Sequence, residues 1–69
     1  MSMTRRFQRS RWSETRMLID AMNVKDELTF PLSQYSNVHS SVLRLNDAYN
    51  GRRKYREWRG LGVHVERLK

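Results

Sequence analysis

Cysteine is absent from the 69 residues, which removes disulfides and thiolate metal clusters as ways to reinforce a small core. Glycine occurs three times and proline once, so no Gly- or Pro-rich linker divides the chain. Apolar runs stay short, as in Met17-Leu18-Ile19, far below the roughly 20 residues that span a bilayer or the shorter core of a signal peptide. The expectation is a single soluble, intracellular domain without membrane contact, in cytoplasm or nucleoid, or in a host cell if the source is viral. Acidic residues are also scarce, seven in all.

Against them stand fourteen Lys and Arg, giving a formal charge of +7, and eleven of the fourteen are arginine. Arginine's rigid fork of donors suits phosphates and guanine edges, whereas lysine acts as a flexible point charge. The charge is also segregated. Residues 1–16 carry Arg5, Arg6, Arg9, Arg11 and Arg16 against Glu14, and residues 51–59 carry Arg52, Arg53, Lys54, Arg56 and Arg59 against Glu57. Between Met17 and Leu43 the only cation is Lys25, opposed by Asp20, Asp26 and Glu27. A solvated helix surface interleaves the two signs, while a phosphate-binding face gathers one. Nucleic-acid contact is therefore expected, the bland alternative being a surface kept soluble by its charge.

Residues 1–12 have few apolar side chains and no sustained period, and read as a flexible basic arm ahead of one domain over 13–69. Ser10 or Ser13 can cap a first helix running to about Met22, with Leu18 and Met22 on its inner stripe and Met17 and Ala21 beside them. Glu27 to Phe30 reads as a short strand or extended link, because Pro31 holds Phe30 extended. Pro31 to about Tyr35 can form one or two helical turns with Leu32 and Tyr35 inward. Ser36 or Asn37 then caps a longer helix with Val38, Val42, Leu45 and Tyr49 on one stripe. Asn50-Gly51 closes that helix in the left-handed conformation both residues accept. Beyond it, Gly60-Leu61-Gly62 separates the basic block from the alternating Val63-His64-Val65, a hairpin pattern. The fold class is thus α+β and mainly helical, a three-helix core with a C-terminal β-hairpin.

The order helix, extended link, short helix, longer helix, basic hairpin, carried by Leu28-Thr29-Phe30-Pro31-Leu32, Val38-His39-Ser40-Ser41-Val42-Leu43-Arg44-Leu45 and Gly60-Leu61-Gly62-Val63-His64-Val65, resembles the winged helix-turn-helix family of DNA-binding domains. The resemblance implies a transcriptional regulator whose helix over 37–50 enters the major groove and whose hairpin over 52–68 is a wing on the phosphate backbone or in the minor groove. Asn37, His39, Ser40, Ser41 and Arg44 would then face the bases. Arg44 suits guanine, Asn37 suits adenine, and the serines suit phosphate or either base edge. Arg52, Arg53, Lys54, Arg56 and Arg59 would hold the backbone, and Arg5, Arg6, Arg9 and Arg11 would lie along a groove. An ordinary capping segment and a charged edge that discourages sheet aggregation remain open for the first two groups.

Catalysis is not expected. His39 and His64 have no recognisable partners, the carboxylates are scattered, and there is neither a metal-ligand spacing nor a phosphate-cradling glycine loop; no cofactor or small-molecule substrate is implied. The partner expected is double-stranded DNA, with a homodimer as one way to lengthen the site. Two other roles stay open. A virus- or mobile-element-encoded factor could dock on a host polymerase or nuclease through an apolar patch on the Met-rich first helix. RNA is the other, through Phe7, Trp12, Tyr55 and Trp58 among the cations, although Trp12 and Trp58 also suit the core.

Overall fold

The computed structural model describes residues 13–69, so the basic arm with Arg5, Arg6, Arg9 and Arg11, together with Trp12, lies outside the described residues. Helix α1 spans Glu14–Asp20, strand β1 Glu27–Phe30, a single 3-10 turn Leu32–Gln34, helix α2 Tyr35–Tyr49, and strands β2 and β3 Tyr55–Arg59 and Val63–Arg67. The architecture is α+β: two helices against a three-stranded antiparallel sheet of order β1-β3-β2. No described helix is long and apolar enough to cross a membrane.

Among the described residues, the expected three-helix core is reduced to two helices. Where a second helix was expected, Pro31 is extended (ψ 150°) and only Leu32–Gln34 turn before the chain runs straight into α2. No loop separates the turn from α2. Leu32, expected inward, is exposed, while Tyr35 packs on the core. The α2 helix starts earlier than its candidate caps Ser36 and Asn37: Gln34 takes the cap position, and its side chain accepts a hydrogen bond from Asn37 Nδ2 at 3.3 Å. Val38, Val42 and Leu45 are buried as their spacing dictates, and Asn50 (φ 45°) ends the helix in the left-handed region.

Ser13 caps α1 by accepting from the Arg16 backbone N–H at 3.1 Å. The buried face of α1 lies well over 100° around the helix from the one periodicity suggested. Ile19 and Asp20 are inside, whereas Met17, Leu18 and Ala21 face out and Met22 is buried beyond the helix end. A helix of two turns has too few apolar residues to fix its own rotation, and here Asp20, drawn inward by the cluster described below, helps decide it.

In the sheet, β3 is central. It pairs with β1 in the register Leu28↔Val65 and Phe30↔Val63 and with β2 in the register Glu57↔Val65 and Trp58↔His64. Alternation then assigns two faces. Leu28, Phe30, Tyr55, Val63 and Val65 point to the helices and join Ile19, Met22, Val38, Val42 and Leu45 in the core. Thr29, His64 and Trp58 form one row of the outer face, and Glu27, Glu66 and Arg56 the next.

Candidate nucleic-acid interface

The relation of the hairpin to α2 is fixed by four contacts. At the C-terminal end of α2 the Asn46 amide acts as a short piece of strand, accepting from the Tyr55 N–H (2.8 Å) and donating to the Tyr55 carbonyl (3.0 Å). Further along, His39 Nδ1 donates to Glu57 Oε2 at 2.5 Å. At the N-terminal end, the Arg59 guanidinium lies 4.5 Å from the centre of the Tyr35 ring. From Asn46 to Tyr35 a helix rises about 16 Å, and from Tyr55 to Arg59 a strand advances about 13 Å. The two elements therefore run alongside one another in opposite directions, and the hairpin tip stands at the N-terminal end of α2.

With α1 on one flank of α2 and β2 on the other, the exposed arc of α2 is narrow. At 100° per residue it is centred on Ser36, Ser40, Leu43 and Asp47, with Asn37 and Arg44 toward the α1 side; all six are exposed. Arg44 borders a shallow depression of about 240 Å³ with Arg16, Leu45, Asp47 and Ala48. Three of the five expected readers, Asn37, Ser40 and Arg44, thus lie on this surface. Ser41 does not: it is only 2% exposed, because it falls between Val38 and Leu45 in the buried stripe. His39 is half-buried and committed, stacked on Tyr35 with ring centres 5.5 Å apart and bonded to Glu57. Ser36, set aside as a cap, belongs to the exposed arc, and a helical wheel started at Tyr35 would have found it.

The five cations expected on the wing divide among four places. Only Arg56 and Arg59 are in the hairpin strands; Arg52, Arg53 and Lys54 precede β2. Arg53 turns inward. Its Nη1 donates to the Asp20 carbonyl (2.9 Å), to Asp20 Oδ1 (3.2 Å) and to the Tyr55 hydroxyl (2.9 Å), and its guanidinium lies 4.2 Å from the centre of the Tyr49 ring. Tyr49 completes the cluster by donating its hydroxyl to Asp20 Oδ1. That hydrogen bond to a carboxylate, reinforced by burial and the nearby charge, raises the Tyr49 pKa above 10.0, although Arg53 opposes it. The Arg53 pKa is raised too, first by the hydrogen bond with Tyr55. Arg53 is therefore turned into the protein, with its guanidinium committed to Asp20, Tyr55 and Tyr49.

Arg56 lies on the outer face, bonded to Glu66 at 3.1 Å and 4.4 Å from the Trp58 ring centre. Trp58, a candidate for the core, also belongs to that face, stacked on His64 with centroids 5.2 Å apart. His64 bonds Thr29 Oγ1 at 3.0 Å and stands 3.8 Å from Glu27, so both histidines have partners that sequence spacing concealed. Among the described residues, Arg44, Arg52, Lys54 and Arg59 have no carboxylate within ion-pair distance. Of these, Arg44 and Arg59 adjoin the exposed arc of α2, whereas Arg52 and Lys54 lie at the opposite end of the hairpin.

No protein-family model matches this chain, and no curated protein or solved structure is significantly similar to it.

Proposed function

We propose that the chain is a small duplex-DNA-binding protein of the transcription-regulator kind, which presents the N-terminal half of α2 to the major groove with the hairpin tip beside it. The observation that carries this is the convergence at one end of the molecule of the polar, exposed start of the helix arc (Ser36, Asn37, Ser40) and an arginine without a carboxylate partner, Arg59, with Arg44 about 14 Å farther along the same arc. Small polar side chains let the helix come close to base edges, Arg44 offers a bidentate fork for guanine, and Arg59 neutralises phosphate at the rim. A winged-helix-like arrangement belongs to this reading, supported by the order helix, strand, turn, helix, hairpin, with one 3-10 turn in place of the second helix.

Charge supports it as well. Ten cations and seven acids in residues 13–69 leave +3 there, and Arg5, Arg6, Arg9 and Arg11 supply the remaining +4. Both parts attract a polyanion.

Fluorescence anisotropy with a mixed pool of labelled duplexes at low and moderate salt tests the proposal. Binding should weaken as salt rises, and Arg59→Ala should lower the slope of log K against log salt by about one. Arg44→Ala should weaken binding and relax base preference after a target is selected from the pool. Absence of binding by the intact protein at low salt would end the DNA reading.

A second role, docking on a protein, is favoured by one observation: Met17 and Leu18 lie side by side on the outer face of α1, the latter 49% exposed. Complex formation with little salt dependence would point there instead.

A further inference from the structure

Leu61, at the hairpin tip, is the one large apolar side chain among the described residues with no cover at all, at 102% of its reference exposure. We propose that Leu61 is a wedge that enters the minor groove beside the bound α2, partly unstacks one base step and bends the duplex. The inference rests on the DNA-binding reading and deepens it.

The tip is built to project this side chain. The loop between β2 and β3 is Gly60-Leu61-Gly62, closed by a Gly60 N–H donating to the Gly62 carbonyl at 2.8 Å. Neither neighbour of Leu61 has a side chain, so the backbone on both sides is thin enough to pass between groove walls. The base of the loop is anchored. A Cβ at Gly62 would meet the Phe30 carbonyl oxygen at 2.8 Å and Thr29 Cγ2 at 3.0 Å, so the turn sits hard against β1. Behind it the Trp58–His64 stack and the His64–Thr29 hydrogen bond tie all three strands together on the outer face. A leucine on a mobile loop would fold back onto the protein; this one is held away from it.

Position and charge select the partner. The turn begins immediately after Arg59, so Leu61 at its apex stands beyond the level at which Arg59 meets the first turn of α2. A hairpin that advances beyond the end of a groove-bound helix arrives at the flanking phosphates and the neighbouring groove. From Trp58 to His64 there is no acidic residue, and Arg59 supplies a cation at the base of the tip. An apolar side chain flanked by positive charge and carried on a narrow ribbon fits a minor groove, where leucine is one of the side chains that intercalate between base steps. Pyrimidine–purine steps, the easiest to unstack, would be the preferred sites.

The test uses a short duplex containing a central TA step, labelled at its two ends with a donor and an acceptor dye, and the full-length protein. Anisotropy reports binding and energy transfer reports bending. Wild type should bind and increase the transfer. Leu61→Ala should bind about tenfold more weakly, a loss of 1.4 kcal/mol, with no increase in transfer at saturation. Leu61→Met, which keeps an apolar wedge, should bend the duplex as the wild type does. Because Leu61 touches nothing in the fold, all three proteins should give the same far-UV circular dichroism and melting curve. Leu61→Ala that binds and bends like wild type would overturn the wedge and leave the DNA-binding proposal standing. Failure of the wild type to bind the duplex at low salt would overturn both.

Discussion

Replacement of Arg53 by alanine should remove a large share of the protein's stability, although Arg53 sits between two surface cations in the sequence. Asp20 is 6% exposed and the Arg53 side chain 27% exposed, and between them lie a charge-assisted hydrogen bond, a bond to the Asp20 carbonyl, one to the Tyr55 hydroxyl and the stack on Tyr49. Removing one member of a buried ion pair costs about 3–5 kcal/mol, because the other charge is left without compensation. Partial exposure of the guanidinium, and the Tyr49 hydroxyl that stays on Asp20, place this case at the lower end, about 3 kcal/mol. A domain of this length has in total about 3–10 kcal/mol of stability.

Urea titration followed by Trp fluorescence and far-UV circular dichroism measures the effect. With a slope of about 1 kcal/mol per molar for so small a domain, the midpoint should fall by about 3 M. Arg52→Ala and Lys54→Ala remove the same charge from neighbouring positions and should stay within about 0.5 kcal/mol of wild type. Arg53→Lys keeps the charge but loses the fork that reaches Asp20 and Tyr55 together, and should fall between. An Arg53→Ala protein as stable as Lys54→Ala would refute the reasoning, because the cluster would then not be what holds α1 against the α2–β2 loop. Binding experiments with an Arg53 variant therefore need its folding checked first, because the substitution disturbs the cluster at Asp20.

Tyr49→Phe removes the hydroxyl that donates to Asp20 and should cost about 1 kcal/mol at neutral pH. The folded-state pKa of Tyr49 is raised, so its contribution is fully present below the ordinary tyrosine pKa of 10.0 and is lost as pH rises through the higher folded value. The wild-type advantage in melting temperature over Tyr49→Phe should therefore be constant near neutrality and disappear only in strong alkali; a difference that vanished below pH 9 would contradict the assignment. Gly62→Ala should destabilise by about 1–3 kcal/mol because its Cβ must displace the backbone of β1. Gly60→Ala, whose Cβ would meet the His64 ring at an ordinary 3.6 Å, should melt close to wild type, and equal melting of the two variants would rule out the close approach at Gly62.

The parts of the fold legible in the sequence are those fixed by neighbours along the chain. Val38, Val42, Leu45 and Tyr49 repeat at helical spacing, Asn50-Gly51 stops the helix, and two glycines close a hairpin whose valines alternate. Each signal spans a few residues, and each is present in the structure. What could not be read depends on partners far away in sequence. Arg53 and Asp20 are 33 positions apart, and Thr29 and His64 are 35 apart. The rotation of α1, the pairing of β1 with β3 and the partners of both histidines all follow from contacts of that range. Ser41 is an intermediate case, since its place in the buried stripe is local information that polarity outweighed.

The same distinction changes what a basic block means. Arg52, Arg53, Lys54, Arg56 and Arg59 look like one patch in sequence, but a strand sends alternate residues to opposite faces and the approach to β2 turns Arg53 inward. Arg53 turns inward onto Asp20, Arg56 pairs with Glu66 on the outer face, Arg52 and Lys54 stay at the base, and Arg59 alone of the five reaches the tip end beside α2. Contact by all five with one stretch of phosphate would require the fold to open. If the tip end is the DNA-binding end, Arg59 is its one cation from the basic block, joined by Arg44 about 14 Å farther along the exposed arc of α2. Two phosphate or base contacts of that kind give a shallow salt dependence, and discrimination among sequences then falls mainly to the polar arc of α2 and to the deformability of the step met by Leu61.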